Sequence, residues 1–433
     1  PKRRKLYNAT LPAEIEGNPF IKHNVYFSRP NLIKMTESQL VYVLLEISPR
    51  EENENLPSPP LNICLVLDRS TSMRGDKMDM VKATAIQLLR NLRPEDVLSV
   101  VAFSDRAEVI IPAALNLDNK NQDDRIHMIQ ASGATEIFNG LQAGLEEIRR
   151  TWDSSRVNHI ILLTDGQTYG DELACLKLAE EAAAQNIGIS GMGIGNDWND
   201  IFLDALASKT GGSSAYISNP KDIQRLLVDK FNALISTYAD EVLLEFKEQK
   251  DVKINYVFRL QPEGGPVQIE SPMRLGPILR DTPLHVLFEF VVNSAALNLD
   301  LLTLLSGSLK ASITARPIPI PPIRLVLDRQ VGVNPSTESP PARIVFALSR
   351  LNLYRMQERA RAAVDQGQYN VAARQLQNLA THLLSQGEHS LAKTALFEAD
   401  NLERKHAWSA SGTKDIKYKT RALLLASTKE KTR

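Results

Sequence analysis

Cysteine is almost absent: the 433 residues contain two, Cys64 and Cys175. Cys64 lies in an apolar strand pattern and Cys175 in a helical one, so both read as buried thiols. They exclude a disulfide framework and a cysteine-based zinc site. Net charge is absent too, at +0 from 51 basic and 51 acidic residues, so no whole-chain field draws the protein to nucleic acid or an anionic membrane. No stretch approaches the roughly 18 consecutive apolar residues of a transmembrane helix. The opening Pro1-Lys2-Arg3-Arg4-Lys5 has no apolar signal-peptide core, and a cytoplasmic protein is expected. Three catalytic signatures are missing: a GxxxxGK[ST] phosphate loop, an HExxH zinc motif and a GxSxG nucleophile elbow.

What is present is ordinary globular material, 43% hydrophobic and 24% charged, long enough for two to four domains. Residues 61–236 alternate strand and helix. Strands are expected at 61–67, 97–103, 107–111, 158–164, 187–194 and 213–217, with helices near 76–92, 122–130, 137–150, 171–185, 199–208 and 220–236. Val81, Ala85, Leu88, Leu89 and Leu92 share one face of the first helix. This alternation predicts an α/β domain: a doubly wound, mostly parallel sheet with helices on both faces.

The flanks differ. Residues 40–49 read as a strand, and so do 241–246, 252–258, 266–270, 284–292, 308–315 and 323–328, split by turn signals such as Pro262-Glu263-Gly264-Gly265. The expectation is an antiparallel β-sandwich over 237–333 that also takes strands from segment 1–60, which would make the α/β domain an insertion. After the linker 334–341, residues 342–405 read as a small helical bundle. Within it QGQYNVAARQL (366–376) and QGEHSLAKTAL (386–396) echo each other, with Gly367 and Gly387 placed to end helices. Residues 406–433 read as a basic, solvated tail; from 404 onward nine Lys/Arg face two acids. The arginines 343, 350, 355, 359 and 361 read as a solvated helix face, and without interleaved aromatics no nucleic-acid partner is expected.

The chemistry gathers where strands end. LVLD stops at Asp68, and Ser70 and Ser72 follow at once. HIILLTDG ends at Asp165, and the loop SGATEIFNGL carries Thr135. If the strands run in the order 3-2-1-4-5-6, the first and fourth are neighbours at the switch point where open α/β sheets bind ligands. Two carboxylates and three hydroxyls would then converge, an oxygen-only set suited to a small hard cation. Asp197 and Trp198 stand at the same rim, where they could line a binding face or, for Asp197, cap the next helix. Arg74-Gly75-Asp76 reads as a chance match to an integrin tripeptide.

In these residues the chain resembles the von Willebrand factor A-domain family and its metal-ion-dependent adhesion site: DRSTS (68–72), Thr135 and LLTDG with Asp165, in order. The resemblance covers about 61–236 and implies a metal set of Asp68, Ser70, Ser72, Thr135 and Asp165. Ser70 and Ser72 would ligate directly, Thr135 in the ligand-bound state, and the two aspartates directly or through water. It implies Mg²⁺ (or Mn²⁺ or Ca²⁺) as cofactor, and a partner protein whose Glu or Asp completes the metal's shell. Bacterial multidomain relatives of this type imply an AAA-type ATPase or another complex component as that partner. Two other readings stand beside a non-enzymatic adaptor. One is a Mg²⁺-dependent phosphohydrolase using Asp68, although such chemistry wants an acid where Ser70 stands. The other is a scaffold with a structural metal.

Overall fold

The structure is a computed structural model that describes residues 18–50, 57–115, 119–168, 170–315 and 318–424. The central sheet contains β1 (Leu61–Asp68), β2 (Val97–Phe103), β3 (Ala107–Ile111), β4 (Val157–Thr164), β5 (Ile187–Ile194) and β6 (Ser214–Ile217). Their order is β3-β2-β1-β4-β5-β6, and every pairing is parallel except the edge strand β3 against β2. Strand side chains alternate between faces. Leu61, Ile63, Leu65 and Leu67 of β1 pack against α1 (Asp76–Arg90) and α6 (Asp222–Ile235). Cys64 and Val66 pack on the opposite face against α3 (Ile137–Arg150) and α4 (Glu172–Ala184). Both cysteines are free and buried. The remaining helices of this domain are α2 (Asn119–His127) and α5 (Asp200–Lys209).

Two sheets form the sandwich, antiparallel among the described residues except where Ile323–Gly332 pairs parallel with Leu32–Ile33. One orders the strands Ile21–Phe27, Gln39–Pro49, Leu284–Val292, Val252–Gln261 and Gly265–Pro266. The other orders Met273–Leu279, Thr237–Lys247, Leu301–Ile313, Ile323–Gly332 and Leu32–Ile33. The central register pairs Gln39 with Val292 and Ile47 with Leu284, so strands from both sides of the α/β domain share one sheet and that domain is inserted. The expected strand at 266–270 is reduced to Gly265–Pro266, while Ile21–Phe27 and Met273–Leu279 are strands that apolar runs did not signal. Both connections to the inserted domain meet Arg280: its guanidinium Nη2 donates to the Pro57 carbonyl at 2.6 Å, and its backbone N–H donates to the Ser236 carbonyl at 2.9 Å.

The helical region holds α7 (Ala342–Asp365), α8 (Tyr369–Ser385), α9 (His389–Lys405) and α10 (Ala410–Leu423). Gly367 and Gly387 end α7 and α8 at φ 71° and 83°, a left-handed conformation that L side chains resist. Helix α10 corrects the expectation of a solvated basic tail: Lys414, Lys417 and Arg421 are all buried against the α/β domain. Residues 425–433 of that expected tail lie outside the described residues. The buried charges of Lys417 and Arg421 have partners distant in sequence. Arg421 makes a two-pronged contact with Asp204, 2.9 and 2.8 Å, and Lys417 bridges Asp200 and Asp204 at 2.5 and 2.7 Å. Arg361 of α7 grips Asp200 at 2.6 and 3.0 Å. Burial disfavours ionisation of Asp200, but Arg361 and Lys417 outweigh it and hold its pKa at about 2. Burial also opposes ionisation of Asp204, yet Arg421 and Lys417 pull it well below the ordinary carboxylate range.

Part of the arginine face of α7 also departs from a solvated role. Arg355 pairs with Glu289 and Arg350 with the Leu423 carbonyl, both partly buried; Arg343 pairs with Glu46 at 2.7 Å but is exposed, as is Arg359, both as expected. A sequence places these cations on one helix face but does not place the acids, which arrive from the sandwich and from α5.

Candidate metal centre

The β1 strand is buried along its whole length and delivers Asp68 to the C-terminal edge of the sheet, 0% exposed. A short turn, Thr71–Met73, follows before α1 begins, and it folds Ser70 and Ser72 back over the strand end. The neighbouring β4 ends one residue before Asp165, which is 2% exposed. The three groups meet through their oxygens. Ser72 Oγ donates to Asp165 Oδ1 at 2.7 Å, Ser70 Oγ lies 3.4 Å from the same oxygen, and the two hydroxyls are 3.0 Å apart.

Asp68 sits behind this triangle. Its Oδ1 accepts the Ser70 backbone N–H at 2.7 Å and its Oδ2 accepts the Thr164 hydroxyl at 2.6 Å. Burial pushes the Asp68 pKa up; the bonds from Thr164 and Ser70 oppose this, and the Asp165 charge adds to it. Two buried carboxylates of like charge therefore stand at neighbouring strand ends, which is costly without a cation.

Thr135 arrives from the loop before α3. It is buried, and its hydroxyl lies over Gly166: a Cβ at Gly166 would come within 2.8 Å of Thr135 Oγ1. This loop is tied to the serine loop, since the Gly133 carbonyl accepts from both the N–H and the hydroxyl of Thr71, each at 3.1 Å. Gly133 has φ +85°, and a Cβ there would strike the Asp105 carboxylate, which accepts the Ala134 N–H at 2.8 Å. Thr168 and Asp171, from the loop after Asp165, accept the first N–H groups of α3, those of Ile137 (3.3 Å) and Phe138 (2.8 Å). The sequence-predicted residues Asp68, Ser70, Ser72 and Asp165 are thus joined in one hydrogen-bonded cluster, and Thr135 stands beside them.

Two participants were not singled out from sequence. Thr164 holds Asp68, and its only signal was adjacency to Asp165. Lys77, in the first turn of α1, donates to Asp165 Oδ2 at 2.5 Å and to the Ser72 carbonyl at 3.3 Å. In sequence it reads as an ordinary solvated helix residue. Asp197 does not cap α5: Asn199 does, accepting from Ile201 (3.1 Å) and Phe202 (3.0 Å). Trp198 is 1% exposed and packs with Tyr216 and Tyr418 instead of lining the rim. His159, a structural residue in the sequence reading, is buried with Nε2 2.9 Å from Ser190 Oγ.

The donor set fits a small hard divalent cation. Every candidate ligand atom is oxygen, two groups carry charge, and the rest are neutral hydroxyls. Among the described residues no three Asp, Glu, His or Cys side chains gather as a metal site, so any cation here would depend on hydroxyl oxygens.

Comparison with known proteins bears on the domains and the fold. The von Willebrand factor type A domain matches residues 62–229, and a Sll0103-like C-terminal alpha-helical domain matches 342–426. The protein sll0103 of Synechocystis is 33% identical over 231 residues, covering 51% of this chain and 55% of that protein. Inter alpha-trypsin inhibitor heavy chain 4 of mouse is 28% identical over 204 residues, 45% of this chain and 22% of that protein. The chain thus spans about half the length of the first relative and about a fifth of the second. Among solved structures, a von Willebrand factor type A protein of Catenulispora acidiphila superimposes with a TM-score of 0.69 at 15% identity, over 95% of this chain and 99% of its own. The ArnB paralog VWA2 of Sulfolobus acidocaldarius superimposes at 0.55 and 15% identity, over 93% and 98%, so the fold extends to the sandwich and helices. Among the described residues no helix is long and apolar enough to cross a membrane. The chain thus carries a domain of the von Willebrand factor type A family at residues 62–229.

Proposed function

We propose that this protein is an adaptor whose Asp68–Asp165 cleft holds a divalent cation and captures an acidic side chain of a partner protein. The observation that carries the reading is the triangle formed by Ser70 Oγ, Ser72 Oγ and Asp165 Oδ1, with Asp68 behind it and Thr135 beside it. Ser70, Ser72, Thr135 and Asp165 would hold the cation, and Asp68 would fix the serine loop through the Ser70 N–H. A bound cation supplies a Lewis-acidic position for a carboxylate oxygen. Mg²⁺ is the best match to so compact an oxygen set, with Mn²⁺ and Ca²⁺ as chemical relatives. An AAA-type ATPase or another complex component is the partner class that the multidomain resemblance implies.

The engagement of Asp68 supports binding over hydrolysis. Both of its oxygens accept hydrogen bonds, from Ser70 and Thr164, and position 70 offers no second acid, so a phosphohydrolase using Asp68 as nucleophile is disfavoured. The test is calorimetric titration of Mg²⁺ into the wild-type chain and Asp68→Ala, together with affinity capture from lysate with and without chelator. Loss of metal binding and of the captured set in the variant, with unchanged circular dichroism, is the expected result. Capture indifferent to both the substitution and the chelator overturns the proposal.

A further inference from the structure

Lys77 needs a purpose. Its side chain is 29% exposed, yet its ammonium sits on an Asp165 side chain that is 0% exposed. That is not a surface ion pair in which two solvated chains meet by chance. The lysine is also pinned twice, to Asp165 Oδ2 on one side and to the Ser72 carbonyl on the other, so it spans the two loops that build the site. A Cβ at Gly195 would lie 3.8 Å from its nitrogen, so the loop after β5 confines it on a third side.

The two oxygens of Asp165 face different partners. Oδ1 faces the Ser70 and Ser72 hydroxyls, and Oδ2 faces Lys77. The ammonium therefore leaves the serine-facing oxygen untouched while neutralising much of the carboxylate's charge. Two aspartates and one lysine sum to a single negative charge. A divalent cation would bring the cluster to a single positive charge, whereas without Lys77 the same cluster would be neutral. A cluster left positive in a largely buried setting calls for one more anion, because unscreened charge is expensive there.

We propose that Lys77 is a positioning residue that sets the charge of the metal centre, weakening its hold on the bare cation and strengthening the bound cation's hold on an incoming carboxylate. This deepens the adaptor reading and rests on the metal site assigned there. Its signature is a pair of opposite shifts. Removing the charge tightens the cation and loosens the anion, whereas a merely structural lysine would weaken both.

The experiment uses Mn²⁺ as the metal probe, with free-ion concentration read by electron paramagnetic resonance. Acetate is the carboxylate probe, read by the fall in water-proton relaxation as it displaces water from the bound ion. Lys77→Met should bind Mn²⁺ roughly fivefold or more tighter and acetate weaker by a similar factor, the size expected for one unit charge a few ångströms away across a partly solvated gap. Lys77→Gln, which keeps a donor but no charge, should behave like Lys77→Met. Lys77→Arg should stay near wild type. Weakening of both probes in Lys77→Met, no change in either, or wild-type behaviour in Lys77→Gln overturns the proposal. Failure of the wild-type chain itself to bind Mn²⁺ overturns the metal-site reading, and the proposal with it.

Discussion

Asp68 and Asp165 close one end of the central sheet, and Asp200 and Asp204 stand one turn apart on α5. All four carboxylates are largely or wholly buried, but their surroundings differ in charge. The pair on α5 faces three cations, Arg361, Lys417 and Arg421, and both of its members are held ionised. The pair at the strand ends faces one ammonium, several hydroxyls and a backbone N–H, and burial raises the pKa of Asp68. The difference teaches how to tell a structural acid from a recruiting one. Where the chain supplies the counter-charge itself, a carboxylate pair is a rivet. Where it withholds most of it, the pair would accept a cation from outside.

The contrast can be broken at the rivet first. Arg421→Met leaves Asp204 buried beside an incomplete set of cations, and it should destabilise the docking of α10 by about 3–5 kcal/mol. Hydrogen exchange of α10 and the melting temperature would report it. Adding Asp204→Leu should restore much of the loss, because an apolar pair in place of a buried ion pair is commonly neutral or better. If the single variant exchanges like wild type, the ion pairs do not hold the helix.

A smaller effect comes from acid. The Asp200 pKa falls from 3.8 to about 2 on folding, so its contribution is fully present above pH 3.8 and fades as pH drops through about 2. Its worth is roughly 2 kcal/mol. Melting temperature should therefore fall between pH 4 and 2, and Asp200→Asn should flatten that slope while lowering stability at neutral pH. An unchanged slope in the variant would remove Asp200 from the account.

The smallest effect has the opposite sign. With metal chelated, Asp68→Asn removes one of two buried like charges and keeps a polar group against Ser70 and Thr164. It should stabilise the domain by about 1 kcal/mol while abolishing Mg²⁺ binding. Lower stability in chelator would mean that the strand-end pair is already compensated, and the comparison would lose its point.

Sequence and structure agree where the candidate site was encoded locally. Asp68, Ser70 and Ser72 fall within five residues, and Asp165 and Thr135 each sit at the end of an element whose apolar pattern is plain, so the strand order alone brought them together. Helix α10 was illegible for the converse reason. Its residues Lys414, Lys417 and Arg421 read as a solvated stretch because their partners, the Asn196 carbonyl, Asp200 and Asp204, lie more than 200 positions earlier. Arg355 and Arg361 of α7 misled in the same way. Lys77 escaped notice because an ammonium in the first turn of a helix looks generic until a buried carboxylate is found beneath it.

Arg280 holds both connections of the inserted domain, the incoming one at Pro57 and the outgoing one at Ser236. In mechanical terms this is a shackle. A partner pulling on the metal centre would load β1 and β4 from one end of the sheet, and the tension would leave the domain at the opposite end through two tethers that meet at one residue, one on its side chain and one on its backbone. Both sheets of the sandwich would then share the load, and neither connecting strand would be peeled alone.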